Sequence, residues 1–266
     1  MDALLTALSY AGLALLLGSV LARRWLTPGQ PGLGPGAAGL ALLLLAWAGQ
    51  TTVTLHALGM TAAPDVLAYV TSTATGRAML TGLLGATLLL AVEVAAWPTV
   101  LALLAAGVTV WGAAGVGHGD GHGTWVRTLH AAHAAAMTVW VGGVLSLVTV
   151  RPLGPALARR FTPAALGSVV VLAATGILMA TEHLTALREW TASAYGQTLL
   201  VKLGLVALAL LAAVLVRRAF ARRRGARIQL AREALLLVAV LGITAVLANS
   251  APPGGHDSGH TTHLNP

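Results

Sequence analysis

The sequence predicts an all-α, polytopic membrane protein: eight transmembrane helices arranged as two parallel four-helix repeats, with both termini extracytoplasmic. Three observations predict it. Of 266 residues, 57% are hydrophobic and only 9% charged, and the mean hydropathy is +0.82. No soluble domain of this length covers so much apolar surface with so few charges. The apolar residues come in runs close to the roughly 20 needed to cross a hydrocarbon core. The basic residues fall in alternate breaks between those runs, which is how charge sets the orientation of spans.

The expected spans are 3–22, 37–58, 76–96, 98–116, 125–150, 163–185, 196–217 and 230–250. The first is followed by Arg23 and Arg24 and not preceded by positive charge, so it does not read as a cleaved signal peptide. Pro28 to Gly36, Pro64-Asp65, Trp97-Pro98, a Gly/His loop, Pro152 to Pro163 and an Arg-rich stretch at 217–227 separate the runs. The breaks after spans 1, 3, 5 and 7 hold 12 of the 16 basic residues, leaving Arg77, Arg127, Arg188 and Lys202 for the other side. The positive-inside rule then places both termini outside the cytoplasm. The net charge of +8 is thereby accounted for by topology, and no nucleic-acid partner is expected.

The two halves echo one another. Leu17-Gly18-Ser19-Val20-Leu21 in span 1 matches Val141-Gly142-Gly143-Val144-Leu145 in span 5. Thr71 to Arg77 matches Thr191 to Gln197, and Gly117 to His122 matches Gly255 to His260. The expected organisation is a first four-helix half at 1–116, an external His/Gly loop at 117–124, a second half at 125–250 and a His-rich tail at 251–266. Four spans per unit is an even number, so the halves share an orientation and an axis along the membrane normal relates them.

Histidine and methionine gather on one side. His118, Asp120 and His122 lie in the external loop, and His256, Asp257, His260 and His263 in the tail. His56 ends span 2, His130 and His133 open span 5, and His183 ends span 6. In a helix, His130, His133, Met137 and Trp140 fall within an arc of about 60°. Two imidazoles within a membrane span are costly without a ligand or a partner. Glu182 beside His183, and Lys202 about two turns into span 7, could pair, or Lys202 could reach outward. Glu93 reads as interfacial. The inner half of the membrane shows no His, Met or Cys and no mid-span carboxylate, which argues against a continuous chain of ligands.

The chain has no cysteine, which excludes disulfides, thiolate metal sites and protein-held iron–sulfur clusters. Histidine with methionine suits copper: imidazole takes Cu(II) and Cu(I), and the thioether favours Cu(I). Imidazoles on facing helices can instead be axial ligands of haem b, in which case His56, His130, His133 and His183 would serve. No serine–histidine–acid set, phosphate-binding glycine loop or dinucleotide fingerprint is present.

His130 to Gly143, above all Val139-Trp140-Val141-Gly142-Gly143, resembles the copper-resistance protein D (CopD/PcoD) family of bacterial inner-membrane proteins. Tyr195 to Lys202, followed by an apolar span and an Arg-rich loop, is similar to the same family, as is Arg232 to Pro253. The resemblance is clearest over about 125–253. It implies an eight-helix protein that handles copper at its outer face and moves it across the membrane, beside or fused to a small periplasmic copper-binding domain. This sequence would need a separate CopC-like donor, a role the His-rich loop and tail could share. The reading favoured is copper binding at the outer face with transport. The alternatives are a haem b membrane oxidoreductase and a non-transporting partner of a periplasmic copper protein. The metal ligands expected are His130, His133 and His183, then His56 and Met137, with His118, Asp120, His122, His256, Asp257 and His260 weaker and Glu182 and Lys202 supporting.

Overall fold

The computed structural model describes residues 2–28, 32–116, 123–150, 154–183, 191, 194–221 and 226–249. Among them all regular structure is helical. The helices are α1 (Asp2–Leu21), α2 (Gly34–Ala57), α3 (Ala63–Ser72), α4 (Ala74–Val94), α5 (Thr99–Ala114), α6 (Gly123–Thr149), α7 (Pro155–His183), α8 (Ala194–Ala221) and α9 (Ala226–Ala248), with a π-helical turn at Ala22–Leu26 closing α1. Seven of these segments are long and apolar enough to cross a membrane, so the chain is a multi-pass membrane protein.

Three elements differ from the sequence expectation. The fourth expected span, 98–116, is the 16-residue helix α5, which at 1.5 Å per residue is about 24 Å long and falls short of a full hydrocarbon core. Pro98 stops it from starting earlier, and Gly115 closes its other end. The break around Pro64 is itself a ten-residue helix, α3, begun by Pro64 in its first turn; proline there loses no intrahelical bond. The sixth span begins well before Pro163, which lies inside α7. Arg159 and Arg160 therefore ride on a helix and not in a loop.

Helix packing is organised around α1 and α6. α1 packs on α2, α6 and α9, and α6 packs on α1, α5, α7 and α9. α4 pairs with α5, and α8 with α9. Where helices approach closely they do so on small residues, as membrane helices must when lipid is as apolar as their own side chains. A side chain at Gly12 would strike Gly39 and Leu43 of α2, and one at Gly112 would strike the backbone of Gly82. Gly18 of α1 lies against Gly142 of α6, backbone on backbone. These are the two glycines at corresponding places in the echoed segments.

Two buried clusters result. One holds Leu13, Leu16, Leu43, Trp47, Met79, Ala86 and Leu89 from α1, α2 and α4. The other joins Ala14 to Trp140, Val144, Phe161, Leu230 and Leu237 from α6, α7 and α9. α1 contributes to both. Leucines and valines on the outer faces of α4, α5, α7, α8 and α9 stay exposed, as lipid-facing residues do.

Candidate metal site at the histidine end of the bundle

The beginnings of α6 and α8 and the ends of α2, α5, α7 and α9 meet at one end of the bundle, called here the His end. The other is the Arg end. At the His end the amide of Gln50 and that of Asn249 both donate to Thr6 Oγ1, each at 3.2 Å, tying α2 and α9 to α1. Arg127 on α6 donates to the carbonyl of Trp111 at 3.1 Å and lies 4.7 Å from its ring centroid. It thereby satisfies a carbonyl in the last turn of α5, where the helix dipole favours a cation.

The centre of the site is His133. Its Nδ1 lies 2.8 Å from Thr175 Oγ1 on α7. Thr175 is buried, and its hydroxyl donates to the Val171 carbonyl at 2.6 Å, the usual bond of a helical threonine. A hydroxyl has one proton, so with that proton on Val171 the oxygen accepts from His133 Nδ1–H. The tautomer follows from this network: Nε2 keeps its lone pair and is the ligating nitrogen. A side chain at Gly176 would lie in ordinary van der Waals contact with His133 Cε1, at 3.9 Å.

His130, partly buried one turn nearer the His end, lies within electrostatic reach of His133, and so does Lys202 on α8. α6 and α7 run antiparallel, so the His133–Thr175 contact sets their register. Three residues back on α6 to His130, and four forward on α7 to Met179, are steps of about 4.5 and 6 Å toward the same end. Met179 is therefore level with His130. Met137, one turn deeper on α6, is partly buried and packs against the cluster that holds Trp140.

The other expected ligands stand elsewhere. His56 is exposed at the end of α2, a helix that packs on α1, α3 and α4. His183 closes α7 two turns beyond Thr175, about 12 Å along the axis, and its side chain and that of Glu182 lie outside the described residues. His118, Asp120, His122, His256, Asp257 and His260 lie outside them too. Among the described residues no three His, Cys, Asp or Glu side chains converge as a metal-binding group. A low-coordinate site with thioether ligands is the kind this seam can build. Haem does not fit the described side chains. His130 and His133 share one helix and cannot face each other across a macrocycle.

Three residues take on a part that the sequence did not give them. Met179 reads as core filling until the register is known. Glu93 is 5% exposed and not simply interfacial: the π-helical turn brings both Arg23, at 3.1 Å, and Arg24 onto its carboxylate. Arg24 also donates to Thr99 at the start of α5. Glu233 on α9 is 4% exposed, and the indole of Trp140 lies near its carboxyl.

Residues 155–247, which span α7, α8 and nearly all of α9, match the family model of copper resistance protein D. The CopD resemblance is borne out over this stretch. It includes Thr175, Met179, His183, Lys202 and Glu233, and it stops short of the α6 histidines. No curated protein and no solved structure matches the chain.

Proposed function

We propose that the protein binds copper at the extracytoplasmic end of the bundle and carries it across the bacterial inner membrane. His133 and His130 are the principal ligands, with Met179 and Met137 supplying thioether sulfur and His183 receiving copper above them. The observation that carries this reading is the Thr175–His133 hydrogen bond. A carbonyl-anchored hydroxyl that holds Nδ1–H and aims Nε2 elsewhere is how proteins orient a metal-binding imidazole. The CopD match over α7 to α9 makes copper the metal of choice, and the softness of a His/Met set agrees.

In this reading the His end is outside, because the Arg-rich breaks belong in the cytoplasm. The halves 1–116 and 125–250 are related by an axis along the membrane normal, with Gly18 and Gly142 meeting on it. The loop at 117–124 and the tail from 251 collect copper weakly and pass it inward, from a CopC-like donor where one is present. Mid-membrane passage occurs by relative movement of the halves.

The test is copper bound per protein in detergent, followed by copper uptake into proteoliposomes. Replacing His130 and His133 together by Ala, in a chain ending at residue 250, is expected to abolish intramembrane copper binding and leave the protein folded. Unchanged copper stoichiometry in that variant would refute the site.

A further inference from the structure

We propose that Glu233 is a cation-binding position in the Arg-end half of the membrane, the next station after the α6 histidines. This rests on the transport reading above and names the group that serves the half where imidazole and thioether are missing.

Glu233 lies seven residues into α9, about 10 Å from the helix start at 1.5 Å per residue. It is buried within the cluster formed by Leu230, Ala234, Leu237 and Trp140. Trp140 stands on the α6 stripe that begins with His130 and continues through His133 and Met137. Seven residues separate His133 from Trp140, a descent of about 10 Å. The indole at the bottom of that stripe lies near the Glu233 carboxyl. The stripe thus leads from two imidazoles, past a thioether, to a carboxyl.

A carboxyl in such a place needs a reason, since an ionisable side chain at membrane depth is costly and marks a pathway or a pairing. The chain's other buried inner carboxyl shows what a pairing looks like: Glu93 is clasped by Arg23 and Arg24. Glu233 has no ion pair among the described residues. A neighbouring indole, a neutral donor, does not balance a negative charge. Packing alone would be served as well by Gln or Leu. A passing cation supplies what is missing. Oxygen is also a weaker ligand than sulfur or imidazole for soft copper, and a weak position toward the exit lets the ion leave.

The experiment compares the full chain with Glu233→Gln in vesicles of phosphatidylethanolamine and phosphatidylglycerol, with copper(I) kept reduced by ascorbate. Gln keeps the size and the acceptor for Trp140 and removes only the charge. The expected result is a copper uptake rate at least tenfold lower, with copper bound per protein and the thermal midpoint in detergent unchanged or raised. Uptake at the unaltered rate overturns the assignment and leaves the transport reading intact. A loss of uptake accompanied by a fall in both stoichiometry and midpoint overturns it as well, because it reveals a structural role. An unaltered protein that binds copper but moves none above empty vesicles refutes the transport reading, and the role of Glu233 falls with it.

Discussion

Replacing Thr175 by Val tests the central geometry with the least disturbance. Val keeps the branched shape and removes the oxygen that Nδ1–H of His133 donates to at 2.8 Å. Two consequences follow. The ring loses a partner in an apolar seam, where an unsatisfied donor costs about 1–3 kcal/mol. The imidazole escapes most of that cost by moving its proton to Nε2, the nitrogen that should ligate, so copper must displace a proton that Thr175 kept away. Loss of a partner that orients a ligating histidine lowers metal affinity by about 10- to 100-fold, equivalent to about 1.4–2.8 kcal/mol. Competition against a calibrated copper(I) chelator on detergent-purified protein measures the change. Thr175→Ser, which retains the hydroxyl, is expected to bind close to the unaltered affinity. Equal affinity in the Val variant and the unaltered protein would refute the argument, and so would a Ser variant as weak as Val.

Three further outcomes are expected. Glu93→Ala strands Arg23 and Arg24 at the Arg end and should lower stability in thermal unfolding by about 2 kcal/mol, less than a fully buried stranded charge costs, because both guanidinium groups are about a fifth exposed. Gly142→Val drives a side chain into the backbone of Gly18 and the carbonyl of Ala14, with no flexible side chain to yield. It should cost about 3 kcal/mol or more, seen as aggregation on size exclusion, whereas Gly107→Ala, with open space around its α-carbon, should behave as the unaltered protein. The purified protein should show no Soret band, and a band that shifts on dithionite reduction would favour the haem reading over copper.

Hydropathy and charge made the fold class legible because lipid imposes length and composition on each span separately. Where several physical demands compete, the sequence was a poorer guide. α5 is short because Pro98 and Gly115 bound it, and an apolar run counted by composition extends past both. Pro163 looked like a boundary, yet α7 runs through it, since its own packing on α6, with Phe161 against Gly143, holds that turn in place. The α6 stripe could be read from spacing alone, because His130, His133, Met137 and Trp140 lie on one helix. Thr175 and Met179 could not, because their part in the site depends on the antiparallel register of α6 and α7, and that is fixed by contacts between residues 42 apart. Glu93 and Glu233 make the same point about charge. In the sequence each is one acidic residue near one end of an apolar run. The bundle distinguishes them. A π-helical turn delivers two arginines to Glu93 and makes it part of the scaffold, whereas Glu233 is buried with no ion pair among the described residues. Identical residue types at similar depth thus have different neighbours, and of the two only Glu93 has an ion pair among the described residues.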